Sequence, residues 1–150
     1  MKVVLAALLL ALPHPTVALA LDDARWTQLN QLAAAMFEVP GVTDKARFGR
    51  HEYWQVADAA GGDCEDKALL ARARLIAAGW PPETLRLALA WTEEREYHAV
   101  LTIDVTRSGA RATYVIDNRF PWAVAWDALS RHGYRWDRRQ QGTGWVRISS

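Results

Sequence analysis

Residues 61–68 read Gly61-Gly62-Asp63-Cys64-Glu65-Asp66-Lys67-Ala68 and place the only cysteine of the chain where a helix is predicted to begin. The two glycines interrupt the chain, and Asp63 is a residue type favoured just before a helix. Asp66 follows three residues later, close to a capping-box arrangement. Small and apolar residues then share one helical face as far as Ala78, and Gly79 with Pro81-Pro82 prevents continuation. We therefore predict a helix over 64–78.

The position of Cys64 suggests a reactive thiol. The first backbone N–H groups of a helix are unpaired and the helix dipole favours negative charge there, so both effects stabilise a thiolate. The alternative is a small buried apolar residue, a common environment for a free cysteine. A single cysteine cannot form a disulfide within the chain, so Cys64 is not a structural cross-link.

Two further residues favour the nucleophile. Residues 97–105 and 112–116 alternate in polarity as strands do, and Arg107-Ser108-Gly109 between them is a turn signal. If Thr106 pairs with Arg111, Asp117 lies one diagonal step from His98; if the loop starts one residue earlier, the two lie directly opposite. Both registers place His98 and Asp117 on one face of the sheet. Cys64, His98 and Asp117 are therefore predicted to form a catalytic triad of nucleophile, base and orienting carboxylate.

An acyl-transfer site also needs donors for a developing oxyanion. The backbone N–H of Cys64 is one candidate, and a second donor is expected upstream. Gln55 and Trp54 precede the cysteine by nine and ten residues, and we select Gln55 as the oxyanion candidate. The alternative for either residue is a packing role.

Three carboxylates surround the cysteine in sequence: Asp63, Glu65 and Asp66. Like charges raise the pKa of a thiol, so their presence needs an explanation. One is helix capping, where carboxylates are favourable. The other is a Ca²⁺ site, completed by other oxygens such as those of Asp44 or Asp58. The residues alone leave both explanations open.

The remaining pattern predicts an α+β fold, with helices packed on an antiparallel sheet. A first helix capped by Asp22 or Asp23 runs to about Phe37, a loop with short turns covers 42–60, and 85–91 is a strand. A short helix near 126–131 and a last strand over 145–148 follow. The basic stretch from Arg135 to Arg139 is expected to be a solvated edge.

The first twenty residues indicate where the protein is located. Residues 1–20 are predicted to be a secretory signal peptide: Lys2 precedes an apolar run, and Ala18-Leu19-Ala20 offers small residues at the cleavage positions. Residues 21–150 would form one domain, periplasmic or secreted.

With 18 basic and 17 acidic residues, the chain lacks the basic excess of a nucleic-acid-binding protein. We expect no stable membrane insertion.

The stretch 61–68, with Tyr53-Trp54-Gln55 before it, resembles the bacterial transglutaminase-like cysteine peptidase family. Residues 97–101 (YHAVL) and 114–119 (YVIDNR) look like its histidine and aspartate motifs. The resemblance implies a papain-like, transglutaminase-like fold and a triad at Cys64, His98 and Asp117. Members include periplasmic, calcium-dependent proteases that process a surface adhesin, with calcium ligands that map onto Asp63, Glu65 and Asp66.

The expected function is therefore that of an exported thiol hydrolase, a cysteine peptidase that acts on a protein or peptide through a thioester. We expect a monomer with no organic cofactor and with Ca²⁺ as the candidate ion. A transglutaminase or deamidase acting on glutamine side chains would use the same thioester chemistry. A non-catalytic binding module on the same fold is a third interpretation.

Overall fold

The computed structural model describes residues 18–49 and 53–149. The elements follow the order β1 (Leu19–Ala20), α1 (Asp23–Glu38), α2 (Asp44–Phe48), α3 (Cys64–Ala77), β2 (Leu85–Trp91), β3 (Tyr97–Arg107), β4 (Ala110–Ile116), β5 (Val124–Ala125), α4 (Trp126–His132), β6 (Arg135–Gln141) and β7 (Gly144–Arg147). A 3-10 turn at Pro82–Thr84 leads into β2. The predicted mixture of helices and antiparallel sheet is confirmed.

One sheet organises the molecule, with strands in the order β5-β4-β3-β2-β6-β7. All neighbours in that order are antiparallel, and β1 adds a short parallel pairing to β3 at Val105 and Thr106. The central strand β3 alternates as predicted, so its two sets of side chains enter two different cores. The longest strand is therefore fixed on both faces.

The larger core lies between the sheet and helices α1 and α3. Leu29 and Met36 of α1, Leu75 of α3 and Leu101 and Ile103 of β3 are all fully buried there. Val100, Val115, Leu129 and Tyr134 form a smaller core on the opposite face, beneath α4. Helix α3 is thus held against the sheet by the apolar face that its sequence predicted.

The start of α3 depends on the glycine pair that precedes it. Gly61 has φ +102°, and a Cβ at this position would lie 2.3 Å from the carbonyl oxygen of Pro40. Gly62 donates its N–H to that same oxygen at 3.1 Å, and Val42 donates to the Gly62 carbonyl at 3.2 Å. Only glycine permits this close approach, which fixes the segment before α2 alongside the beginning of α3.

Two predictions about local structure were wrong. The 42–60 segment contains α2, capped by Thr43, whose hydroxyl accepts the N–H of Ala46. The basic stretch from Arg135 is not an edge, because β6 pairs with β2 on one side and β7 on the other. Arg139 is accommodated there by an ion pair with Asp104 and by its position over the Trp126 ring.

Asp63 occupies the N-cap position of α3, as predicted, but its side chain makes no hydrogen bond to the helix. Its carboxylate is directed toward α2 instead, where Oδ2 accepts the backbone N–H of Asp44 at 3.4 Å. By contrast, Asp22 caps α1 as predicted, accepting the N–H of Arg25 at 2.8 Å.

The predicted signal peptide falls mostly on residues 1–17, outside the described residues. The predicted cleavage point after Ala20 is at the C-terminal end of β1. The next residue, Leu21, is buried and donates its N–H to the Thr106 carbonyl at 2.8 Å. No helix within the described part of the chain has both the length and the apolar character of a membrane span.

Candidate active site

Cys64 is the first residue of α3 and its sulfur lies against the start of β3. The backbone N–H of Ala99 donates to Sγ at 3.5 Å. This amide is available because the pairing between β3 and β4 ends at Leu101 and Ile116. Beyond the end of β4 the Ala99 amide is thus free to bond to the Cys64 sulfur, and Ala99 is the residue after His98 in β3.

His98 and Asp117 meet on one face, as the alternation of the two strands predicted. Thr106 pairs with Arg111, which is the first of the two registers considered, and Asp117 follows the last residue of β4. His98 Nε2 lies 2.8 Å from Asp117 Oδ1. Both side chains are buried, and that of Asp117 is completely so.

The hydrogen bonds of Asp117 define the tautomer of His98. Oδ1 also accepts the backbone N–H of Arg119 at 2.9 Å, and Oδ2 accepts the hydroxyl of Tyr134 at 2.6 Å. Burial raises the pKa of Asp117, but its bonds to His98, Tyr134 and Arg119 outweigh burial and leave that pKa below the usual value. An ionised carboxylate only accepts, so His98 Nε2 carries the proton and Nδ1 is left as the basic nitrogen.

The protein groups around Cys64 oppose thiolate formation. Burial is the largest cause that raises the thiol pKa, to about 12, and the charges of Glu65 and Asp63 act in the same direction. The Ala99 amide lowers that pKa only in part. The thiol itself donates to Glu65 Oε2 at 3.3 Å. Cys64 therefore needs a base to remove its proton at neutral pH.

A cluster of carboxylates lies beside the cysteine. One oxygen each from Asp44, Asp63 and Glu65 falls within 4.8 Å of the others. Oδ1 of Asp44 and Oδ1 of Asp63 are buried and accept no hydrogen bond. Burial and the neighbouring Asp63 raise the pKa of Glu65 to about 7. Buried, mutually repelling oxygens without donors are the ligands that a hard cation prefers, so these residues fit Ca²⁺.

This cluster differs from the set expected from the sequence. Asp63 and Glu65 belong to it, but Asp66 is directed elsewhere: its Oδ1 accepts the backbone N–H of Gln55 at 2.9 Å. Asp44, which the sequence offered only as a supplementary oxygen, takes its place from the start of α2. Asp58 is outside the cluster and forms an ion pair with Arg47.

Gln55 is fixed near the start of α3 by that bond from its backbone to Asp66. Its side-chain Nε2 is buried and donates to no described group. A buried amide without an acceptor is costly, so a group from outside the protein is a natural partner. The neighbouring Trp54 packs edge-on against Trp145 of β7, with ring centroids 6.0 Å apart.

Two residues of the site, Tyr134 and Arg119, were not found from the sequence, and Asp44 was offered only as a supplementary oxygen. Asp44 lies in a segment without periodicity, nineteen residues before Asp63. Tyr134 reaches Asp117 from just after α4, and Arg119 reaches it from the loop after β4. Of these residues, only Arg119 could have been found from the sequence, because it lies two residues after Asp117.

A crevice next to the sulfur is lined by Cys64, Lys67, Ala99 and Asn118, together with apolar side chains of α1, α3 and β4. A wider cavity of about 560 Å³ lies near Arg86, Asp104 and Tyr114. Asp104 is six residues along β3 from His98, roughly 20 Å away at the usual rise of a strand. The cysteine therefore lies at the narrow crevice and not at the wider cavity.

Solved structures of LapG from Legionella pneumophila share this fold. The calcium-bound form is 22% identical with a TM-score of 0.64, over 83% of this chain and 71% of that one. The EGTA-treated form is 19% identical with a TM-score of 0.64, over 83% and 67% of the two chains. A further LapG structure is 20% identical with a TM-score of 0.63, over 81% and 67%.

No curated protein matches the chain. The family of bacterial transglutaminase-like cysteine proteinases matches residues 12–150, which include Cys64, His98 and Asp117. The transglutaminase-like fold and this match over most of the sequence lead to one conclusion: the chain belongs to the bacterial transglutaminase-like cysteine proteinase family and is a cysteine peptidase.

Proposed function

We propose that the protein is an exported, monomeric cysteine peptidase that cleaves a surface protein through a thioester on Cys64, with His98 as base and Asp117 as orienting carboxylate. The observation that carries this proposal is the 2.8 Å bond between His98 Nε2 and Asp117, beside a cysteine sulfur that accepts the next backbone amide along β3. Because Nε2 is bonded to Asp117, Nδ1 is the nitrogen that we propose takes the proton of the thiol.

In the first step His98 Nδ1 accepts the thiol proton as Sγ attacks the scissile carbonyl carbon, and the carbonyl π electrons move to its oxygen. Asp117 stabilises the resulting imidazolium. The tetrahedral intermediate collapses as the C–N bond breaks and His98 protonates the leaving amine. Water, deprotonated by His98, then hydrolyses the thioester and releases the acid and the thiol.

Two exposed aromatic side chains lie at the end of β2 and β3 where His98 is found, and we propose that they contact a peptide substrate. Tyr97 precedes His98 and its ring lies 4.9 Å from that of Trp91 on the neighbouring strand. Both rings are exposed at more than 40%. Aromatic rings offer large contact areas at low entropic cost, which supports an extended segment of a protein as the substrate.

The predicted export of the protein supports a substrate outside the cytoplasm. The predicted signal peptide would be cleaved after Ala20, and the mature chain would retain the buried Leu21 that bonds to β3. The mass of the exported protein tests this assignment, since it should correspond to a first residue at Leu21.

The proposed nucleophile is tested by Cys64→Ala. Hydrolysis of a protein substrate should fall to background, a loss of about 10³-fold or more, because no other group forms the thioester. The products should carry a new amino terminus, identified by mass spectrometry, and added primary amine should not be incorporated. Cooperative unfolding like that of the wild type would show that the variant is folded.

Activity retained by a folded Cys64→Ala protein would contradict the proposal. Amine incorporation without backbone cleavage would instead identify a transglutaminase.

We propose Gln55 as the side-chain donor of the oxyanion hole, together with the backbone N–H of Cys64. The unpaired, buried Nε2 supports this role. Gln55→Ala should lower kcat by about 10²-fold with a small change in KM, because such a donor acts mainly in the transition state. Steady-state kinetics measure the effect, and Gln31→Ala, on the exposed side of α1, is the control. A change confined to KM would assign Gln55 to substrate binding.

We propose that Asp44, Asp63 and Glu65 hold Ca²⁺, with further oxygens from backbone or water. The two buried oxygens without donors support the site. When bound, the ion would offset the negative charge that raises the pKa of Cys64 and would join α2 to the start of α3. Asp66 is proposed to act from outside this set, by fixing the backbone of Gln55.

Calcium binding is measured by calorimetry and by the melting temperature. At a hundredfold excess over Kd, Ca²⁺ should stabilise the wild type by about 2.7 kcal/mol. Mg²⁺ should have little effect, because it demands compact octahedral geometry. Asp44→Asn should abolish the response, and Asp58→Asn, which removes only the carboxylate paired with Arg47, should preserve it. Equal responses in the two variants would rule out this ligand set.

A further inference from the structure

Tyr134 is a buried tyrosine that contacts the candidate triad from behind. It follows the left-handed Gly133 at the end of α4, and its N–H donates to the Leu129 carbonyl at 3.0 Å. The ring belongs to the core beneath α4 and is 4% exposed. Its hydroxyl lies 2.6 Å from Asp117 Oδ2.

The direction of that hydrogen bond follows from the neighbouring arginine. Arg119 Nη1 lies 2.8 Å from the Tyr134 hydroxyl oxygen. A guanidinium group can only donate, so the oxygen accepts from Arg119 and its one proton is free to donate to Asp117. An ionised Asp117 has no proton to donate, which agrees with this direction: Arg119 donates to the Tyr134 oxygen, and the Tyr134 hydroxyl donates to Asp117. The Tyr134 hydroxyl therefore has a defined orientation.

Arg119 is in turn held in place. Its Nη2 donates to Glu93 Oε1 at 2.6 Å and its Nη1 to Glu93 Oε2 at 3.1 Å, a two-point ion pair on the turn between β2 and β3. Glu94 lies 3.5 Å from the same guanidinium, and His132 Nε2 lies 3.5 Å from Glu93 Oε1. Among residues 18–49 and 53–149, these groups and His98 are the titratable and charged side chains in contact with Asp117, Tyr134 or the Arg119–Glu93 pair.

We infer that Tyr134 is a positioning residue for catalysis, which acts through Asp117: its hydroxyl, oriented by Arg119 and Glu93, holds the carboxylate so that Oδ1 stays on His98 Nε2. Packing alone would be satisfied by phenylalanine, which has no hydroxyl to direct at a buried carboxylate. Hydrogen bonds to a fully buried charge are strong and their loss is costly. This inference rests on the proposed role of the triad.

The consequence for pH dependence has a definite sign. The hydroxyl is one of the groups that hold the pKa of Asp117 below its usual value against burial. Its removal should raise that pKa, so that Asp117 becomes protonated at a higher pH and no longer supports His98. The acid limb of the kcat/KM profile should therefore move to higher pH.

The test is Tyr134→Phe, compared with Tyr114→Phe. The control also removes a hydroxyl that accepts from an arginine, Arg107 at 2.9 Å, but one with no described bond to the triad. We expect Tyr134→Phe to lower kcat roughly tenfold or more, to leave KM nearly unchanged and to shift the acid limb upward. Tyr114→Phe should retain the wild-type profile.

A second measurement does not depend on turnover. In a Cys64→Ala background, the ¹⁵N and ¹H resonances of His98 should show a hydrogen-bonded Nε2–H, and Tyr134→Phe should shift or broaden that signal. Wild-type kcat, acid limb and His98 resonances in Tyr134→Phe would overturn the inference while leaving the proposed peptidase intact. Activity in Cys64→Ala would overturn the peptidase mechanism, and the His98 resonances would still decide the role of Tyr134.

If Tyr134→Phe does not fold, Glu93→Gln provides the same test from the surface. It weakens the anchor of Arg119, so a smaller shift of the acid limb in the same direction is expected. Glu94→Gln, at the more exposed neighbouring carboxylate, is its control. Identical profiles for the two glutamine variants would contradict the inference.

Discussion

The structure depends on a charge that has no contact with water. Asp117 is completely buried, and an ionised carboxylate in such a place is tolerated only when donors surround it. Those donors come from three separate parts of the chain: His98 on β3, Arg119 after β4 and Tyr134 after α4. The sheet and α4 must therefore close around Asp117 together. The same closure fixes His98 through its Nε2 and leaves Nδ1 as the basic nitrogen.

The site combines two opposing electrostatic effects. The carboxylates near the start of α3 and the burial of the sulfur raise the thiol pKa, whereas the pair of His98 and Asp117 supplies a base. The helix dipole and the Ala99 amide favour the thiolate but do not outweigh burial. A cation held by Asp44, Asp63 and Glu65 would change this balance. Nucleophile strength would then be linked to calcium without any calcium contact to the substrate.

The sequence predicted those parts of the site that depend on local pattern. Strand alternation put His98 and Asp117 on one face in either register, and the glycine pair with Asp63 marked the start of α3 within one residue. It did not predict Tyr134, because no periodicity connects the end of α4 to the end of β4. Asp44 was only a supplementary candidate for the same reason. Asp63 was correctly predicted as the N-cap residue, but its residue type did not show that its side chain is directed toward α2. Strand β6 was missed because the partner of its Arg139 is the distant Asp104, which the local sequence does not reveal.

The central claim is that Cys64 depends on His98, held by Asp117, to become reactive. Since Cys64 is the only cysteine, its alkylation by iodoacetamide can be followed on the intact protein by mass. At pH 7 we expect the wild type to react at least about tenfold faster than His98→Ala, because a thiol whose pKa is raised to about 12 has almost no thiolate of its own. Asp117→Asn should fall between them. Equal alkylation rates in the wild type and His98→Ala would contradict the account.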